Sequence, residues 1–212
     1  QVLEELGVKL NISSEKISEC INKSNIGFMF APNHHSAMKY VGPVRQRLGV
    51  RTIFNLLGPL SNPASVKKQL IGVFDKKWLT PIAETLKNLG STRAMVVNGS
   101  DGLDEITTTG ISYIAELKNN KVFSYEINPS DFDIAISDPS SLLGGEPSEN
   151  AKKISNLLEG EKGSFRDIVL LNSAAALYVD GLASDIKEGI KLSNQSIDKG
   201  LARLALSKLI KA

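Results

Sequence analysis

The segment 69-QLIGVFDKKWLTPIAETLKNLGSTRAMVVNG-99 decides the fold. QLIGVF (69–74) and RAMVVNG (93–99) are short apolar runs with the composition of buried strands. Between them, PIAETLKNLG (81–90) reads as a helix, with Pro81 at its first position and Gly90 ending it. Strand, helix and strand over this span predict two parallel strands joined by a right-handed crossover.

The pattern continues downstream. ISYIAEL (111–117) and VFSYEI (122–127) flank Lys118, Asn119 and Asn120, which predicts an antiparallel hairpin. FDIAI (132–136) reads as a further short strand. Helices are expected over roughly 149–159, 164–180 and 184–210, the last broken near Asn194, with an apolar face at Leu201, Leu204, Ala205 and Lys208. Upstream, residues 1–24 read as two short helices. The second is capped by Ser13 or Ser14 ahead of Glu15 and Lys16 and carries the stripe Ile17, Cys20, Ile21. MKYVGPVRQRL (38–48) looks helical with an interruption at Gly42-Pro43. Residues 51–57 read as a strand or extended run, closed by the turn signal Gly58-Pro59. Together these elements predict an α/β protein, a mixed central sheet flanked by helices. With no repeat, low-complexity tract or linker, residues 1–212 are expected to form one domain.

Composition narrows the function. A chain of 212 residues that is 42% hydrophobic can bury a real core. Its 25 Lys and Arg against 23 Asp and Glu leave a net charge of +2 with the basic residues scattered, which argues against a nucleic-acid partner. No apolar run reaches transmembrane length and no signal peptide opens the chain, so no membrane partner and a cytoplasmic location are expected. The single cysteine, Cys20, excludes an internal disulfide and is expected as a buried or half-buried thiol.

Three segments could carry chemistry. The first is Asn33-His34-His35 with Arg45. Adjacent histidines with no third histidine and one cysteine make a poor zinc site and fit a polar pocket better. The Arg45 guanidinium suits bidentate capture of a carboxylate or phosphate, although Arg47 and Arg51 stand close enough that composition cannot choose among the three. The second is NGSDGLDE (98–105), beyond the strand that ends at Val97, where ligands bind in parallel α/β sheets. Asp101, Asp104 and Glu105 could present oxygens to Mg²⁺ or could simply cap turns. The third is Gly144-Gly145 with Ser148, Glu149 and Asn150, which lacks a completed phosphate motif and reads as a capped helix entry. Asn172-Ser173 before three alanines reads as close helix packing.

FMFAPNHHSAMKYVGPVRQRLGVRTIFNLLGPLSNPA (28–64), DGLDEITTTG (101–110) and LNSAAALYVDG (171–181) occur in the order that characterises the anthranilate phosphoribosyltransferase family, and the chain resembles that family over essentially its whole length. The resemblance implies the large-domain fold that the family shares with class II nucleoside phosphorylases. It also implies a pentosyltransferase that moves 5-phosphoribosyl from phosphoribosyl pyrophosphate to the amine of anthranilate, with Mg²⁺, in tryptophan biosynthesis. Carried over position by position, Arg45 matches the anthranilate-binding arginine. His35 matches a substrate-channel position, and Pro59 a Gly-Pro turn lining that channel. Asp104 and Glu105 match the Mg²⁺ pair. The family's N-terminal helical subdomain, GTGGD phosphate loop and KHGN segment have no counterpart in this sequence, so it is expected to resemble the C-terminal two-thirds. Little activity is expected from it alone, and the homodimer expected of the intact enzyme does not follow for this chain. A pyrimidine-nucleoside phosphorylase relative and a non-catalytic binding module of the same fold are the alternatives.

Overall fold

The computed structural model describes residues 1–34, 47, 49 and 52–212. In chain order its helices are α1 (Val2–Glu5), α2 (Ser14–Ser24), α3 (Ala31–His34), α4 (Phe54–Leu60), α5 (Leu79–Asn88), α6 (Pro147–Leu158), α7 (Ser164–Asp180), α8 (Ile186–Asp198) and α9 (Leu201–Lys211). The strands are β1 (Lys68–Gly72), β2 (Arg93–Gly99), β3 (Ser112–Lys118) and β4 (Lys121–Ile127). Two compact units result, one of Gln1–Phe54, Gly144–Glu161 and Ser196–Ala212, the other of Asn55–Leu143 and Lys162–Gln195.

The second unit holds the sheet, ordered β1-β2-β3-β4. β1 and β2 run parallel, with Lys68 opposite Arg93, and the two later pairs are antiparallel. The mixed sheet flanked by helices is therefore borne out. Side-chain alternation divides the core into two layers. Ala94, Val96, Ala115 and Leu117 face Leu79, Ile82, Ala83 and Leu86 of α5. Met95, Val97 and Ile114 face Leu171, Ala175 and Val179 of α7. α5 ends in a Schellman closure, with Gly90 N–H donating to Lys87 O and Ser91 N–H to Leu86 O, both at 2.9 Å. Asn119 and Asn120, at φ 52° and 59°, make the hairpin turn between β3 and β4. Buried Glu116 on β3 accepts hydrogen bonds from the hydroxyls of Tyr125 and Tyr178, at 2.9 and 2.8 Å.

In the first unit, Ser13 caps α2 by accepting from Lys16 N–H at 3.3 Å. Cys20 is buried and free. It packs with Val8, Leu10 and Leu209. Ile17 shares this burial but Ile21 is exposed. Pro147 and the Glu146–Glu149 capping box open α6, the helix entry expected there. No described helix is long and apolar enough to cross a membrane.

Several elements depart from expectation. The run at 51–57 was expected to be extended, but Phe54–Leu60 is helical. Leu56, Leu57 and Leu60 lose little rotamer freedom in a helix, and Leu56 is buried. Gly58-Pro59 therefore lies in the last helical turn rather than in a turn beyond it, and Ser61 Oγ donates to Leu57 O at 2.9 Å. FDIAI is not a strand, because an Asn128–Asp131 capping box starts a 3₁₀ turn over Pro129–Phe132 and Asp133 follows at φ 60°. Pro81 is the third residue of α5, not its first. The break between α8 and α9 falls at Gly200, φ 70°, and not at Asn194, whose Oδ1 accepts from buried Arg166 at 2.7 Å. On α9 the packed stripe is Leu206, Leu209 and Ile210, while Leu201 and Leu204 are exposed. The helical region expected at 38–48 lies almost wholly outside the described residues.

Met95 is fully enclosed between β2 and α7. Met95→Ala is expected to lower unfolding free energy by about 2–5 kcal/mol in urea titrations with an unchanged slope.

Candidate functional site

The site is built where β2 ends. Asn98 is buried, and its Nδ2 donates to Val73 O at 2.8 Å and Leu103 O at 3.3 Å, tying the segment after β1 to the acidic loop. Gly99 N–H donates to Leu103 O at 2.8 Å and Gly102 N–H to Gly99 O at 3.0 Å, so the loop closes on itself. The Asp104 carbonyl then packs directly on Gly72 of β1. A Cβ at Gly72 would stand 1.6 Å from that oxygen, so only glycine admits this approach.

The three acidic residues separate into two roles. Asp101 is occupied. Its Oδ1 accepts from Leu103 N–H at 3.1 Å, and its Oδ2 accepts the hydroxyls of Thr107 and Thr109 at 2.5 and 2.6 Å. Burial pushes its carboxyl upward, but these donated bonds outweigh burial and hold it below the ordinary aspartate range. Asp104 and Glu105 are exposed, and among the described residues neither carboxylate takes a hydrogen bond or an ion pair. Partial desolvation, then repulsion from Asp104 and Asp101, raises Glu105 above the usual glutamate value.

Adjacent carboxylates with no cation beside them among the described residues fit a hard divalent ion. Mg²⁺ commonly takes one or two carboxylates and keeps its remaining waters. Among the described residues, no three His, Cys, Asp or Glu side chains converge into a complete cage, so such an ion would need oxygens from another source.

Asn172, expected only to pack, clamps the loop. Its Oδ1 accepts from Ile106 N–H at 2.9 Å, and its Nδ2 donates to Ile106 O at 2.8 Å and to Ile168 O at 3.0 Å. Ala174 and Ala175 behind it are fully buried, as close packing requires. Asn172 was not singled out as functional, and the run Thr107–Thr109 reads in sequence as hydroxyls that could serve the site but more often satisfy loop backbone. A polar residue among small apolar ones on a helix was the available signal for Asn172.

Of the residues matched to anthranilate, His35 and Arg45 lie outside the described residues, and Pro59 sits within α4. His34 Nε2 is buried with no hydrogen-bond partner among the described residues.

The mixed sheet flanked by helices agrees with what comparison of the whole sequence shows. Residues 1–203 match the glycosyl transferase family, a/b domain, and the chain belongs to that family. Among its relatives, the anthranilate phosphoribosyltransferase of Rhodopseudomonas palustris (strain TIE-1) is 54% identical over 209 residues, which cover 99% of this chain and 62% of that protein. The crystal structure of anthranilate phosphoribosyltransferase from Thermus thermophilus superposes with a TM-score of 0.92 at 40% identity, over 99% of this chain and 62% of that one. The Saccharomyces cerevisiae enzyme in complex with PRPP and Mg gives 0.90 at 26% identity, over 99% and 61%. The resemblance read from the sequence is thus borne out, and the chain spans about 62% of the length of the curated relatives it matches.

Two opposite pH responses are expected. Asp101 is depressed in the folded state, so its stabilisation is present above the ordinary aspartate range and is lost as pH falls through its folded value. Asp101→Asn should therefore cost about 0.5–1 kcal/mol at neutral pH, since the carboxyl is largely solvated, a deficit that shrinks in acid. Glu105 is raised, so it carries no penalty below the ordinary glutamate value and destabilises as pH climbs through its folded value. Glu105→Gln should gain stability on the neutral side only. Thermal melts across pH check both.

Proposed function

We propose that this chain carries part of an anthranilate phosphoribosyltransferase, an enzyme that transfers 5-phosphoribosyl from phosphoribosyl pyrophosphate to the amine of anthranilate and releases pyrophosphate. The observation that carries this reading is the Asp104–Glu105 pair at the carboxyl end of β2, which has no counter-charge among the described residues. It occurs in a chain 54% identical to a relative of that name.

In this reading Asp104 and Glu105 hold Mg²⁺ through their carboxylate oxygens. Bound there, the ion would neutralise charge on the departing pyrophosphate as an oxocarbenium-like centre develops at the ribose. Arg45 pairs its guanidinium with the carboxylate of anthranilate and fixes the amine for attack. His35 and Pro59 line the approach of that substrate. An aromatic amine needs little activation, so no general base is assigned. A homodimer and a cytoplasmic location belong to the same proposal. The names of the relatives favour this reading over a nucleoside phosphorylase.

Steady-state kinetics on the protein that carries this sequence test the assignment. Arg45→Ala should raise the anthranilate KM about tenfold or more, since a charged hydrogen-bonding partner is lost. Unchanged anthranilate saturation would overturn the role of Arg45. Asp104→Asn should move the Mg²⁺ requirement to higher concentration, and superimposable metal titrations would remove Asp104 from the metal site.

A further inference from the structure

We propose that Asn172 is a positioning residue for the Asp104–Glu105 pair, acting through the backbone of Ile106; this rests on reading that pair as metal carboxylates. One side chain satisfies both backbone groups of Ile106, the residue directly after Glu105, at 2.9 and 2.8 Å. Ile106 is fully buried, so water cannot replace either bond. The second amide hydrogen goes to Ile168 O at 3.0 Å, one turn back on α7. That third bond fixes which end of the amide faces which group, since turning the amide over would leave Nδ2 facing the Ile106 N–H and Oδ1 facing the two carbonyl oxygens.

The pair is consequently held from both sides in sequence. Before Glu105, the Asp104 carbonyl is seated on Gly72. After it, Ile106 is locked to α7. The direction in which the two carboxylates point is set between these anchors, and the Asn172 amide is the one that a side-chain substitution removes without introducing a clash. Without it the loop gains freedom where the carboxylates leave the core, and their directions are no longer fixed. Partners that orient metal ligands in this indirect way typically affect affinity by about 10–100-fold.

The test is Mn²⁺ binding to the protein as expressed, read as free Mn²⁺ by electron paramagnetic resonance, with thermal melting alongside. Asn172→Ala should weaken Mn²⁺ binding about tenfold or more. Leu170→Ala serves as the structural comparator. It empties a buried site on the same helix, two residues and hence roughly 200° from Asn172. It should lower the melting temperature and leave Mn²⁺ affinity unchanged. Unaltered affinity in Asn172→Ala, with affinity lost in Asp104→Asn, would overturn the positioning role and keep the metal pair. Unaltered affinity in Asp104→Asn would overturn the metal reading and this inference together. Equal losses of affinity in Asn172→Ala and Leu170→Ala would make Asn172 merely structural. If Asn172→Ala does not fold, Asn172→Ser is judged by the same criteria.

Discussion

From Ala94 to Gly99 every residue of β2 is buried, and a strand with no solvent face can present its chemistry only at its end. Its neighbours answer that constraint. α5 covers the face of Ala94 and Val96, α7 covers the face of Met95 and Val97, and β1 and β3 take its two edges. The chain leaving at Gly99 emerges against the end of β1, where Gly72 has no side chain to obstruct it. The acidic loop is thus placed by the same burial that stabilises the sheet.

Much of this could be read from residues alone. β2 was expected at 93–99 and found there, because a continuous apolar run bounded by Arg93 and Gly99 leaves little choice of limits. The Asn119-Asn120 turn was readable because asparagine tolerates positive φ. Where two patterns competed, sequence reading failed. α9 carries two apolar stripes at helical spacing, and only tertiary contact selects Leu206, Leu209 and Ile210 over Leu201 and Leu204. The extended reading of 51–57 rested on its β-branched and apolar residues and on the turn signal of Gly58-Pro59, which the helix instead absorbs in its final turn.

The site was legible in its charges and illegible in its supports. Asp101, Asp104 and Glu105 stand together in sequence, so their loop was an evident candidate. Their division into one buttress and two carboxylates unpartnered among the described residues depends on Thr107 and Thr109 folding back onto Asp101, which no spacing rule predicts. Asn172 lies 66 residues from the backbone it holds. Long-range pairing of a side chain with a distant main chain leaves no periodic trace, so this contact had to be seen.

The chemistry of the supports is consistent with what they support. Among the described residues, the donors that hold the loop are two threonine hydroxyls, two asparagine amides and backbone N–H groups, all neutral, with the Asp101 carboxylate among their acceptors. A lysine or arginine in their place would hold the loop at least as firmly, since hydrogen bonds to charged donors are the stronger ones. It would also satisfy Asp104 and Glu105 and compete with any cation arriving from outside. Neutral donors fix geometry without discharging the pair, and the cost appears as the desolvation and repulsion that together lift Glu105. That penalty on the charged form is a local destabilisation the fold carries, and its repulsive part would be relieved by an incoming divalent ion. A loop built to be stable by itself would have closed the charge internally, as Asp101 does for its own carboxylate a few residues earlier.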